Sequence, residues 1–171
     1  MNRIAQFNKV SFEQFLKDYN DTFDYRQSVE EIKTIWDNIQ LPVRATVGSA
    51  GYDFVTPIDF TLEPGKTIKI PTGIRCRIEE GWVLKLYPRS GLGFKYRLQL
   101  DNTVGIIDGD YFDSDNEGHI FIKITNGSND DKIIILNIGS GFAQGIFVPY
   151  GITIDDNVNG TRNGGFGSTG R

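Results

Sequence analysis

The sequence predicts an all-β domain, a sandwich or barrel of short strands with a short helical insertion near its N-terminus. Three observations point there. From Val43 onward, apolar runs of a few residues are divided by Gly, Pro, Asn and Asp, the pattern of strands joined by turns. Helical periodicity is confined to the region 11–40. The chain of 171 residues suits one core and is too short for two ordinary ones.

Taken in order, RIAQF at 3–7 reads as a first strand. In SFEQFLKDYN, Phe12, Phe15, Leu16 and Tyr19 share one helical face, and Ser11 with Gln14 has the spacing of a capping box. A second helix is expected from Ser28, with Glu31 at its third position, Ile32, Ile35, Trp36 and Ile39 on one face, and Pro42 helping to stop it. The apolar faces of this pair most simply pack on the sandwich, while an exposed amphipathic helix can also serve as a docking surface. Strands are then expected in DFVTPIDFTL, KTIKIPTGIRCRI, WVLKLYP, HIFIKITN, KIIILNI and AQGIFVPYGITI. This gives one β domain over 1–159 and a Gly-rich arm over 160–171, whose low apolar content gives it nothing to pack against by itself.

Composition narrows the function. Eighteen basic against twenty-two acidic residues give a net charge of -4, which argues against a general affinity for the phosphate backbone of nucleic acid but leaves room for a local cationic pocket. The single cysteine, Cys76, excludes an intrachain disulfide and is expected as a small buried strand residue in a reducing, cytoplasmic setting. MNRIAQFNKV has no apolar signal-like core, and no window approaches the ~20 apolar residues of a membrane span.

The densest chemistry lies in PRSGLGFKYRLQLDNTVGIIDGDY, residues 88–111. Arg89, Ser90 and Gly91 offer a guanidinium fork, a hydroxyl and an approachable backbone, which suit phosphate oxygens. Asp108 and Asp110 offer bases or metal partners, and Tyr111 a ring. Each alone reads as a turn, a strand end or a packing residue. Their order resembles motifs two and three of the trimeric deoxyuridine triphosphate nucleotidohydrolases, the dUTPases. GSAGYDF at 48–54, GSGFAQGIF at 139–147 and RNGGFGSTG at 162–170 are similar to the other three motifs of that family, in the same order.

The resemblance covers nearly everything from Pro42 onward and implies a dUTPase-like distorted jelly roll, a β-clip sandwich, assembled as a homotrimer whose sites draw on three subunits. It implies Mg²⁺-dependent hydrolysis of dUTP to dUMP and pyrophosphate. Asp108, in GIIDGDY, matches the residue that activates the attacking water, and Asp53 matches the aspartate that meets the metal through its water shell. Arg89, Ser90 and Gln144 match positions that approach the triphosphate. Asn102 matches the contact to the uracil edge, with Gly105 leaving room there, and Tyr111 matches the ring beneath the deoxyribose that excludes a 2′-hydroxyl. Arg162, Phe166, Gly167, Ser168 and Thr169 match the arm that orders over bound ligand, with Phe166 stacked on the uracil. Hydrolysis between the α and β phosphates needs these parts: an activated water, a neutralised leaving group and an in-line geometry. Mg²⁺ prefers phosphate oxygens and retained waters to a full protein cage, so a dedicated carboxylate cluster is not required.

The pattern is imperfect in three places. Gly141 stands where the family commonly carries a basic residue, and motif five is one residue short between Arg162 and the glycine pair Gly164 and Gly165. After motif three, FDSDNEG makes a longer connection than usual; Asp113, Asp115, Glu117 and Gly118 imitate the start of a calcium loop, but Ile124 stands where that loop needs Glu. A solvated acidic hairpin tip is therefore expected, with His119 as a lone surface histidine. Two other functions compete. One is a regulatory member of the same fold that binds a protein partner through the N-terminal helices. The other is a deoxycytidine triphosphate deaminase, a related fold without the Asp108 and Tyr111 combination.

Overall fold

In the computed structural model, which describes residues 2–160, the short apolar runs pair into antiparallel sheets. The elements are β1 (Ala5–Lys9), α1 (Phe12–Phe23), α2 (Val29–Asp37), β2 (Tyr52–Val55), β3 (Phe60–Leu62), β4 (Thr67–Pro71), β5 (Ile74–Ile78), β6 (Trp82–Pro88), α3 (Ser90–Tyr96), β7 (Leu98–Leu100), β8 (Gly105–Ile107), β9 (Phe121–Asn126), β10 (Ile134–Leu136) and β11 (Gly141–Pro149). A 3₁₀ turn spans Gly109–Asp113. The larger sheets run β2-β11-β6-β8 and β4-β9-β7, with β1 on β5 and β3 on β10 as two-stranded pairs. Strand alternation is read directly from burial: in β9, Ile122, Ile124 and Asn126 point inward between less buried neighbours.

The first strand begins two residues later than expected, and β11 begins at Gly141 and ends at Pro149, so ITI at 152–154 is not a strand. Ile152, Ile154 and Val158 there are exposed. The helix α3 was not anticipated, because Gly91 and Gly93 make SGLGFKY a poor helix on propensity alone. Cys76 is buried on β5, and burial pushes its thiol up to about 12. No helix among the described residues is long and apolar enough to cross a membrane.

The helical pair joins the core that the sheets form. Phe15, Tyr19, Ile32 and Ile39 belong to one cluster with Ile70, Ile74, Leu84, Leu86, Ile122 and Phe142. Each such side chain contributes roughly 1.5–3 kcal/mol of burial. Gly73, at φ 71°, is the point of closest approach: a Cβ there would overlap Ile39 Cδ1 and lie 3.4 Å from the Phe15 ring. The Ser28–Glu31 capping box forms in full at the start of α2.

At the start of α1, only half of the expected box forms. Ser11 Oγ accepts from Gln14 N at 3.1 Å, but the Gln14 amide donates instead to Asp18. The missing half comes from a distant residue. Glu117 accepts from Ser11 N at 2.8 Å and from Ser11 Oγ at 2.6 Å, with Arg75 3.7 Å away. Burial alone would raise the Glu117 carboxyl pKa; the Ser11 bonds and the Arg75 charge outweigh it and hold it below the usual value.

This corrects two expectations. The acidic connection is not a free hairpin tip, because Glu117 caps a helix. His119 is not a surface histidine: it is 0% exposed, its Nε2 accepts from Gly73 N at 2.8 Å, and Nδ1 lies 2.5 Å from Asp18 Oδ2. With Nε2 accepting, the proton sits on Nδ1 and is donated to Asp18. Partners for both residues lie far away in the chain, where local polarity gives no sign of them.

Desolvation lowers the His119 pKa from 6.5, against the opposing pull of Asp18. The unfolded chain therefore takes up a proton near 6.5 that the folded chain resists, and stability falls as pH drops through that value. Glu117 acts in a separate window, below its ordinary 4.5. Chemical denaturation between pH 8 and 5 will show this decline, and His119→Gln, though less stable throughout, will show a flatter slope.

Candidate active site

Strand β11 is the axis of one cluster of candidate residues. It lies between β2 and β6, so Gln144 is opposite Asp53 on one side and Tyr87 on the other. Gln144 Nε2 donates to Pro88 O at 3.2 Å, and a Cβ on Gly51 would come within 2.9 Å of Gln144 Oε1. Arg89, leaving β6, sets its Nε 3.4 Å from Asp53 Oδ1, with both side chains partly exposed. Ser90 and Gly91 open α3 directly after it. Asp53, Arg89, Ser90, Gly91 and Gln144 thus meet at one end of the four-stranded sheet.

Gly141 explains its own departure from the family pattern. A Cβ built there would overlap Arg89 Nη1 and lie 3.0 Å from Arg89 Cδ. The missing side chain is the berth of the Arg89 guanidinium, which reaches Asp53 across it.

A second cluster follows β7. The hairpin from Leu100 to Gly105 closes through Thr103 N to Leu100 O at 2.9 Å and Val104 N to Asn102 O at 2.7 Å, with Thr103 at φ 64°. Its base is fixed by Asp101, which accepts from Thr125 Oγ1 at 2.5 Å and pairs with Lys123 at 3.0 Å. Burial works against the Asp101 carboxylate, but those bonds and the Lys123 charge hold its pKa below the usual value. Asn102 and Gly105 line a cleft of about 390 Å³ with Leu86, Leu100, Ile107 and Phe121. Leu86 fills the space beside Gly105: a Cβ on that glycine would lie 3.0 Å from Leu86 Cβ, so the residue serves the β6–β8 contact as much as any ligand.

Asp108 leaves β8 as the residue preceding the 3₁₀ turn, and its carbonyl accepts from Tyr111 N at 3.2 Å. It lines an open cleft with Glu79, Glu80, Trp82, Asp110 and Tyr150. Tyr111 lies deeper than its motif suggests: it is 5% exposed, and its hydroxyl donates to His119 O at 2.7 Å and accepts from Asn116 Nδ2 at 2.8 Å. The surface it can offer a ligand is small and held from behind.

One chain does not bring all these parts together. Ile107 is opposite Leu84, whereas Arg89 lies beyond the far end of β6. Five residues of strand at ~3.3 Å each separate those levels by about 17 Å. Asp108 therefore stands at one end of β6, and Asp53, Arg89 and Gln144 stand at the other. Arg162, Phe166, Gly167, Ser168 and Thr169 lie outside the described residues. The roles of Asp101, Lys123 and Asn116, and the reason for the departure at Gly141, escaped the sequence reading, since they depend on tertiary neighbours that no local motif marks.

The profile of a protein family described as dUTPase matches residues 37–170. The chain is 39% identical over 146 residues to the deoxyuridine 5'-triphosphate nucleotidohydrolase of Lactococcus lactis subsp. lactis (strain IL1403), covering 82% of this chain and 95% of that protein. The crystal structure of dUTPase from Streptococcus mutans superposes with a TM-score of 0.62 at 32% identity, covering 88% of this chain and 98% of that one. The Staphylococcus bacteriophage 80alpha dUTPase with dUpNHpp gives 0.64 at 23% identity, covering 99% and 100%; at that identity it speaks for the fold alone.

Because the guanidinium can swing aside, Gly141→Ala will shift unfolding free energy by no more than about 1 kcal/mol, the scale of an exposed ion pair. If Arg89 meets the triphosphate as its motif implies, the same variant will weaken nucleotide binding by about tenfold, the scale of one charge-assisted hydrogen bond. In an Arg89→Ala background, calorimetry will show no further loss from Gly141→Ala.

Proposed function

This chain belongs to the dUTPase family and hydrolyses dUTP to dUMP and pyrophosphate, and from that premise we propose how its residues divide the work. Asp108 is the general base that takes a proton from the attacking water. Arg89, Ser90, Gly91 and Gln144 bind phosphate oxygens and orient the chain of phosphates for in-line attack. Asn102 and Gly105 receive the uracil edge, and Tyr111 lies against the deoxyribose. The hairpin backbone rejects the thymine methyl by fit and the cytosine amino group by leaving polar groups unpaired.

Asp53 is the protein's contact to Mg²⁺, through water. Bound Mg²⁺ supplies charge neutralisation on the phosphates and the leaving pyrophosphate. The donor chemistry suits this ion: among the described residues no group of three His, Cys, Asp or Glu side chains converges as a metal cage, and a magnesium ion carried by phosphate oxygens needs little more than one carboxylate. Asp53 is also paired with Arg89 in the free chain, so Mg²⁺ and phosphate would engage the two partners together.

The observation that carries the shared-site reading is the separation along β6. If Asp108 and the triphosphate group of Asp53, Arg89 and Gln144 act on one substrate, they must come from different copies of the chain, and a homotrimer supplies them. Arg162, Phe166, Gly167, Ser168 and Thr169 would close over the bound nucleotide. The buried Cys76 thiol suits a cytoplasmic protein. A protein partner on the N-terminal helices would have to use their outer faces, since Phe15 and Ile32 are buried against the sheets.

Incubation with Mg²⁺ and each of dUTP, dTTP, dCTP and UTP will yield pyrophosphate from dUTP, with the other three much poorer; comparable kcat/KM for dCTP, or ammonia release from it, contradicts this assignment. Asp108→Asn will slow turnover by roughly a hundredfold or more, as expected for loss of a positioned base, while nucleotide binding persists. Arg89→Ala will also be impaired, and co-refolding the two variants will restore activity in mixed oligomers if the site is shared. No recovery in oligomers shown to be mixed contradicts the sharing.

A further inference from the structure

The first helix of the pair at 11–39 and the acidic connection at 113–118, two segments without an assigned role, meet through Ser11 and Glu117, and the connection in turn holds Tyr111 through Asn116. We propose that together they form a clamp that fixes the Tyr111 ring, with Asn116 as its positioning residue, and that this clamp sets the discrimination between deoxyribose and ribose. The proposal rests on the reading of Tyr111 as the ring that faces the sugar.

The clamp begins at the phenol. Asn116 Nδ2 donates to the Tyr111 hydroxyl at 2.8 Å, and that hydroxyl donates to His119 O at 2.7 Å, so the oxygen is held from two directions. Asn116 is itself oriented: its Oδ1 accepts from Gly118 N at 3.2 Å, which leaves the amide nitrogen facing the ring. Ser114 adds a grip on the backbone, with its N donating to Tyr111 O at 3.2 Å and its Oγ donating to the same oxygen at 2.5 Å. Gly118 presses the turn against this backbone. At φ 68° a Cβ there would lie 2.6 Å from Tyr111 O and 2.7 Å from Phe112 Cα.

The turn is strained and needs an anchor. Glu117 has φ 57°, a region that costs a non-glycine residue roughly 1 kcal/mol or more. Its carboxylate holds the N-terminus of α1 through Ser11 and faces Arg75, and the neighbouring His119 reaches Asp18 on the same helix. Thus α1 bears on the turn at two points along its length. The turn bears on the ring.

The consequence is chemical. Deoxyribose and ribose differ by one hydroxyl, and an apolar wall rejects an added hydroxyl by only about a hundredfold even when well fitted. A ring free to yield would admit it. A ring backed at its far oxygen and along its own backbone would not.

The variant that isolates the key bond is Asn116→Asp. It is isosteric, keeps an oxygen for Gly118 N, and replaces the donating amide by an acceptor. With Mg²⁺ and the full chain, the ratio of kcat/KM for dUTP to that for UTP will fall by about tenfold. Tyr111→Phe, which removes the phenol oxygen, will lower the same ratio, and Asn116→Asp will add nothing to it. Should Asn116→Asp fail to fold, Tyr111→Phe alone decides: a parental ratio overturns the clamp. A lowered thermal midpoint with an unchanged ratio in Asn116→Asp also overturns it, since that is the signature of a purely structural turn. Tyr111→Ala separates the two levels. If it leaves the ratio at the parental value, the sugar-facing role of Tyr111 fails; if it lowers the ratio while Asn116→Asp and Tyr111→Phe leave it at the parental value, only the clamp fails.

Discussion

The buried imidazole of His119 ties together parts of the chain that no covalent neighbourhood relates. Where the helices settle onto the sheets, the amide of Gly73 is closed off from water, and an unpartnered buried donor costs roughly 1–3 kcal/mol. His119 Nε2 accepts from that amide, and Nδ1 turns to Asp18 on α1. One ring thus satisfies the β4–β5 turn, fastens the first helix and fixes the start of the segment leading into β9. Its carbonyl supports the Tyr111 hydroxyl as well. The close approach at Gly73, the packing of Phe15 and Ile39 there, and the setting of Tyr111 all require this junction to stay dry and neutral.

Much of the architecture was legible because it is local. The alternation in FIKITN and WVLKLYP, the 3.6-residue stripe of Phe12, Phe15, Leu16 and Tyr19, and the Ser28–Glu31 box each depend on residues a few positions apart. What was misread is what depends on distance along the chain. Glu117 is 106 residues from the serine it caps, and His119 is 101 from Asp18, so polarity alone made both look like surface. The acidic run resembled a solvated tip for the same reason. α3 was missed because two glycines argue against a helix that its context nevertheless stabilises.

The candidate site divides in the same way. Motif order marks which residues carry the chemistry, but not that Gly141 is the resting place of Arg89 or that Asp101 braces the hairpin through Lys123 and Thr125. Those relations are made by strand register. Gln144 meets Asp53 and Tyr87 because β11 is paired on both sides, and the same pairing carries Gly141 beneath Arg89.

Strand β6 is a rigid ruler. It runs from Trp82 to Pro88, hydrogen-bonded on one side to β11 and on the other to β8, and it separates the carboxylate at one end from the guanidinium at the other. Adding or removing a single residue would turn its inward side chains outward, beyond altering that span. Variation in chain length must therefore fall elsewhere. The connection at 24–27, between α1 and α2, is exposed or nearly so and belongs to no regular element, and such a place can absorb an added loop or reporter peptide without changing the gauge of the site.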